Sequence, residues 1–142
     1  QHADITYRAM TVAPSDTENA IINTLRYYEA QNAIVFANTR AMVARLTARF
    51  SNRGFSVVSL SGELSQNERT HALQAMRDGR ARVCVATDVA ARGIDLPNLE
   101  LVIHADLPSN GDENGYKCHM FAISPLAALP CPPYAQIAEM EP

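Results

Sequence analysis

With 142 residues, 47% of them hydrophobic, the chain is long enough for one domain with a real core and short for two. It holds no apolar run of the roughly 20 residues that cross a bilayer and no basic-then-apolar opening of the secretion type, so a membrane partner is excluded and a cytoplasmic location is expected. The net charge of −3 divides unevenly: residues 1–92 carry eleven arginines against eight acids, whereas 93–142 carry Lys117 alone against seven acids.

Residues 4–12 alternate loosely through Ile5, Tyr7, Ala9 and Met10, which predicts a first strand, and Pro14-Ser15-Asp16 ends it. From 17 to 30, Ala20, Ile21, Leu25 and Tyr28 fall at helical spacing, with Ser15 or Asp16 placed to cap the free N–H groups. Tyr27 and Tyr28 belong to that stripe, where aromatic rings pack rather than stack on bases. A buried-strand run follows at 33–37, and Asn38-Thr39-Arg40 comes immediately after it as the next helix begins. Asn38 has the chemistry of a cap. Thr39 and Arg40 then fall in the first turn, where unpaired N–H groups and the helix dipole favour a phosphate. That helix carries Met42, Val43, Leu46 and Phe50 on one face to about Ser51, with Gly54 as the left-handed residue beyond its end.

Residues 55–60 predict a third strand, followed by Gly62, which lets the backbone approach a ligand closely. Ser65 and Glu68 form a capping box that opens a helix reaching Arg77, and Gly79 terminates it. His71 is a surface position of that helix. The run Val83-Cys84-Val85-Ala86 is that of a strand covered on both faces. Thr87, Asp88, Arg92, Gly93 and Asp95 follow it, just past a carboxyl end, where ligands sit in open α/β sheets. Residues 101–104 predict a further strand. His104 and Asp106 at its end lack a nucleophile or third partner, so they read as structural. Cys84, Cys118 and Cys131 are odd in number and widely spaced, as expected of reduced thiols. Cys118, His119 and Cys131 lack the paired spacing of a zinc site, and no metal site is expected.

Three of these segments resemble motifs of the DEAD-box RNA helicases. Residues 86–95, Ala-Thr-Asp-Val-Ala-Ala-Arg-Gly-Ile-Asp, resemble motif V, and 35–40, Val-Phe-Ala-Asn-Thr-Arg, resemble motif IV. Gln66-Asn67-Glu68-Arg69, preceded by Gly-Glu-Leu-Ser, is similar to the family's Gln-x-x-Arg element. The resemblance covers about residues 5–109. It implies a RecA-like three-layer α/β domain with a mainly parallel sheet, helices on both faces and right-handed crossovers. It also implies that Thr39, Arg40, Gly62 and Thr87 face an RNA backbone, with Gln66 and Arg69 near it. Asp95 would approach the ribose of ATP, and Asp88, Arg92 and Gly93 would serve the ATP site or the junction with another lobe. The implied cofactor is ATP with Mg, bound mainly by an N-terminal RecA-like domain. The implied partners are single-stranded or duplex RNA and that same domain.

Beyond Ser109 the pattern departs from the family. The family's motif VI, His-Arg-x-Gly-Arg-x-Gly-Arg, should follow, yet the chain has no arginine after Arg92. Residues 110–119 form an acidic, turn-rich linker, 117–123 predict one strand, and 124–142 hold five prolines with at most a helical turn over 134–140. The expected division is a helicase C-terminal domain at 1–109 and an atypical tail at 110–142. The expected function is the C-terminal domain of an ATP-dependent RNA helicase, inactive alone, with sequence-tolerant and salt-sensitive RNA contacts. The alternatives are a non-catalytic RNA- or protein-binding module that keeps the fold, and a DNA-directed helicase domain. Self-association through the tail is a further expectation, because an open sheet edge invites pairing.

Overall fold

The computed structural model describes residues 6–96, 99–105 and 117–123. Among the described residues six strands form one sheet: β1 (Thr6–Val12), β2 (Ala33–Phe36), β3 (Val57–Leu60), β4 (Val83–Ala86), β5 (Leu101–His104) and β6 (Lys117–Ile123). Three helices connect them: α1 (Thr17–Tyr28), α2 (Arg40–Asn52) and α3 (Gln66–Arg77). The strand order is β1-β6-β5-β2-β4-β3. β5, β2, β4 and β3 run parallel, whereas β6 lies antiparallel between β5 and β1. This is the α/β architecture with a mainly parallel sheet that the resemblance implies.

Strand order and handedness explain where the helices lie. The chain passes over the place of β4 on its way from β2 to β3, then reverses direction to insert β4 between them. Two right-handed crossovers running in opposite directions must use opposite faces. Accordingly α2 packs with α1 on one face, where Val43, Leu46 and Phe50 meet Ile21, Leu25 and Tyr28. α3 covers the other face with Ala72, Leu73, Ala75 and Met76.

The strands divide their side chains between these two cores, as a period of two requires. Ala33, Val35, Val83, Val85, Leu101 and Ile103 point toward α1 and α2, while Ile34, Cys84, Ala86 and Leu60 point toward α3. Burial on both faces is why β2 and β4 read as unbroken apolar runs. Cys84 is fully buried as a free thiol, and burial pushes its pKa up to about 12. Tyr27 and Tyr28 pack edge to face, with ring centroids 5.0 Å apart, within the α1 and α2 core. The packing role expected of them is the one observed.

Two helix starts differ from expectation. Neither Ser15 nor Asp16 caps α1: Pro14–Asp16 form a 3-10 turn, and Asp16 at the cap position makes no side-chain cap bond. Its φ of −100° and ψ of −1° are helical, whereas a capping side chain needs an extended backbone. At α2 the cap is Thr39 rather than Asn38. Thr39 is extended at φ −128° and ψ 153°, and its Oγ1 accepts the Met42 N–H at 3.1 Å. α1 also ends at Tyr28 rather than at residue 30, because Glu29 turns left-handed at φ 49°. At α3 Ser65 is the cap, as expected, its Oγ accepting the Glu68 N–H at 3.1 Å, while the Glu68 carboxylate accepts from the Ser65 hydroxyl at 3.2 Å.

The strand expected at 117–123 is present and is built into the sheet. β1 has β6 as its strand partner, so the opening segment joins the domain through β6. Residues 117–119 of the linker expected at 110–119 belong to β6 instead; the rest of it, Asp106, Cys131 and the turn expected at 134–140 lie outside the described residues. Among the described residues no helix is long and apolar enough to cross a membrane.

Candidate nucleic-acid interface

Because β5, β2, β4 and β3 are parallel, their carboxyl ends open on one edge of the sheet. Backbone bonds carry the pairing one step past each strand: Ala37 N–H to Ala86 O at 2.9 Å, Ala105 N–H to Phe36 O at 2.8 Å, and Thr87 N–H to Leu60 O at 3.3 Å. The loops after β2, β3 and β4 therefore leave the sheet at one level and side by side.

From the first loop come Thr39 and Arg40, both exposed. Thr39 already caps α2 through its lone pair, and a hydroxyl that accepts one bond keeps its own proton to donate. Arg40 occupies the first helical position. Its Nη1 donates to Glu63 Oε1 at 2.6 Å, which links this loop to the one after β3. Gly62 stands in that second loop, exposed, and a Cβ built on it would meet nothing within 4 Å. The protein's own packing therefore makes no demand for glycine there, and its exposed backbone is open to close approach.

The third loop is the densest. Thr87 Oγ1 accepts the Ala90 N–H at 3.2 Å, and the carbonyl of Thr87 accepts the Ala91 N–H at 3.1 Å. Thr87, and not Asp88, thus caps the turn that follows β4. This leaves the Asp88 side chain exposed. Gly93 takes φ +73°, a conformation that a residue with a Cβ adopts only at a cost. Val89 at the tip is 70% exposed, the most exposed large apolar residue among those described.

Two arginines of α3 fix the path of this segment. Arg69 donates through Nη1 to Ala90 O and through Nη2 to Arg92 O, the latter at 3.2 Å. Arg77 donates through Nε and Nη2 to Asp95 O at 3.2 and 3.0 Å. Arg69 and Arg77 are eight residues apart on one helix, which is roughly 12 Å along its axis. The segment 90–95 therefore descends along α3. Thr39, Arg40, Gly62, Thr87 and Asp88 gather at the edge, and Gln66 stands exposed at the adjoining start of α3. Asp95 is held lower on the flank, apart from that group, with its carboxylate exposed. The guanidinium of Arg69 faces inward onto two carbonyls, and Arg92 points outward and exposed.

Three contributions were not legible as site features in the sequence. Glu63 reads as an ordinary loop acid until its bond to Arg40 is seen, and Arg77 reads as the last residue of a helix. His104, at the end of β5, stacks on Phe36 with ring centroids 5.3 Å apart and planes 18° apart. Burial holds its pKa below the usual histidine range, and the Asp88 carboxylate pulls weakly the other way. Among the described residues no cluster of His, Cys, Asp or Glu is arranged to hold a metal.

This arrangement suits a ligand that offers phosphate and sugar rather than base edges. It presents one guanidinium, hydroxyl donors, an unencumbered backbone at Gly62 and the amino terminus of α2.

Comparison with known proteins gives a consistent result. The family described as helicase conserved C-terminal domain matches residues 16–118. The ATP-dependent RNA helicase DBP8 of Scheffersomyces stipitis is 42% identical over 105 residues, which is 70% of this chain and 23% of that protein. The ATP-dependent rRNA helicase RRP3 of Eremothecium gossypii is 38% identical over 109 residues, 76% of this chain and 22% of that protein. The chain thus spans less than a quarter of the length of these curated relatives. Among solved structures, the E. coli DEAD-box protein SrmB bound to regulator of ribonuclease activity A is 36% identical with a TM-score of 0.63, over 66% of this chain and 55% of that one. A DEAD-box protein from the hyperthermophile Methanococcus jannaschii is 30% identical with a TM-score of 0.63, over 70% of this chain and 27% of that one.

Proposed function

The chain belongs to the helicase conserved C-terminal domain family, as the C-terminal RecA-like domain of a DEAD-box RNA helicase, and from that premise we propose that it grips an RNA backbone along the carboxyl edge of its parallel strands. Thr39, Arg40, Gly62 and Thr87 make the grip, and Gln66 lies beside it. Arg69 serves from behind by holding the loop that carries Thr87. The observation that carries this reading is strand order. β2, β4 and β3 are consecutive in the sheet, so residues scattered from position 39 to 87 in sequence become neighbours on one edge.

ATP is the cofactor of this reading, and the chain's residues fit it in part. Asp95 presents an exposed carboxylate of the kind that hydrogen-bonds ribose hydroxyls, and Arg92, Gly93 and Asp88 lie on the same segment, where another lobe would close. No arginine follows Arg92, so the clustered positive charge that stabilises phosphoryl transfer is not supplied from residues 93–142. The chain therefore contributes ribose and lobe-joining contacts. Magnesium and the triphosphate belong with an N-terminal RecA-like domain, which is the protein partner of this reading. The same lack of arginine favours a second reading, a non-catalytic RNA- or protein-binding module on the helicase fold.

The test is fluorescence anisotropy of a labelled oligouridylate with the purified chain. Binding is expected to weaken as salt rises. Arg40→Gln should reduce affinity several-fold and flatten the salt dependence by about 0.7 in log–log slope, the loss of one single-strand phosphate contact. Thr87→Val should weaken binding without changing that slope. Binding that ignores salt and both substitutions, with a partner captured through residues 110–142, would replace this reading with the second one.

A further inference from the structure

Arg40 is not presented bare. Glu63 Oε1 lies 2.6 Å from its Nη1, and the two side chains are 60% and 72% exposed for arginine and glutamate. The pair is not a local ornament of one element. β2 and β3 are separated in the sheet by β4, so the bond joins two loops whose strands stand about 9–10 Å apart, on either side of the end that bears Thr87. A carboxylate in this place offers a guanidinium the same kind of charged oxygen that a phosphate does.

We propose that Glu63 is a built-in competitor for RNA phosphate: the RNA backbone reaches Arg40 only by displacing the Glu63 carboxylate, so Glu63 sets the affinity and salt sensitivity of this edge. The inference rests on the RNA reading above and adds a residue to it. Magnitude decides that the contact tunes rather than blocks. An ion pair this exposed contributes about 0–1 kcal/mol, a factor of up to roughly five in binding. A polyanion brings several phosphates and displaces such a contact readily. The ion pairs at Glu18 differ in kind. That carboxylate is only 18% exposed and meets both Arg45, at 2.5 Å, and Arg49, at 3.4 Å, so it fastens α1 to α2.

Glu63→Gln keeps an acceptor for Arg40 and removes the charge. In the full chain, titrated with the labelled oligouridylate at low and moderate potassium chloride, it should bind about two- to five-fold more tightly at low salt, with a steeper salt dependence. In the Arg40→Gln background the same substitution should gain nothing. Tighter binding that persists without Arg40 would overturn the proposal, since Glu63 would then act only as a distant like charge. So would unchanged or weaker binding by Glu63→Gln while Arg40→Gln still weakens binding, and that result leaves the RNA reading standing. Failure of Arg40→Gln to weaken binding removes both. Thermal melting of each variant confirms the fold, which exposed positions such as these should leave unchanged.

Discussion

The hollow at the amino end of the parallel strands and the loop edge at their carboxyl end place their arginines differently. At the amino end, Arg82 donates to the carbonyls of Ala30, at 3.1 Å, and Glu29, at 3.4 Å. Nearby, Arg26 lies 5.7 Å over the Phe55 ring and donates to Arg53 O at 3.2 Å. These side chains, with Leu25, Glu29, Gln31 and Phe55, line an open hollow of about 490 Å³. Its cations are committed to the protein's own backbone. At the carboxyl end Arg40 meets an exposed carboxylate instead, and Arg92 faces solvent. A hollow with basic walls is therefore the weaker candidate for anion binding, because a guanidinium bonded to two carbonyls has fewer donors left to offer. Availability of the donor, more than concavity, separates Arg40 from the arginines of the hollow.

Substitutions sharpen this contrast. The largest effect is expected of Arg69→Ala, which removes two charge-assisted bonds to the carbonyls of Ala90 and Arg92 and should cost about 2 kcal/mol in urea unfolding. Because those bonds position the Thr87 loop, RNA affinity should fall with stability. Arg82→Ala should cost about 1 kcal/mol and leave RNA affinity unchanged. Arg40→Gln should show the converse, with RNA affinity lost and stability moved by no more than about 0.5 kcal/mol. RNA affinity lost in Arg82→Ala, or stability lost in Arg40→Gln, would break the division between the ends.

The smallest effect is a pH dependence at the carboxyl end. Burial against Phe36 holds the His104 pKa down, so as pH falls the unfolded chain takes up the proton first. The stability linked to this group is complete above the ordinary histidine value of about 6.5. It declines as the pH drops below that value, and levels off once the folded chain is protonated too. His104→Phe should remove that decline, read as the difference between the two proteins' urea midpoints across the acid range. Parallel curves for the two would show that burial does not govern this imidazole.

Much of this is legible in the sequence. β4 and β5 stand at the bounds their apolar runs predict, β2 stops one residue short of its run, and the Ser65–Glu68 pattern marks the start of α3. What failed were choices between adjacent residues of equal chemistry. Asn38 and Thr39 are both good caps, and only the backbone angles decide which one opens α2. Pro14 draws Asp16 into a 3-10 turn and so disqualifies it as a cap for α1. The partners of Arg40, Arg69 and Arg77 lie 18 to 23 residues away in sequence. Composition and periodicity act over a few residues, whereas such pairings follow from strand order, which no local pattern encodes.

The placement of β6 bears on how the domain is made. Thr6 pairs with Ile123 and Val12 with Lys117, so β1 has no seat in the sheet until β6, the last of the described strands, has emerged from the ribosome. Pairings so distant in sequence form late and slowly, since the loop between their ends must first be closed. During synthesis the parallel core has the means to assemble around α1, α2 and α3 while β1 waits outside. In that interval the free side of β5 is open to β6 or to a strand from a neighbouring chain.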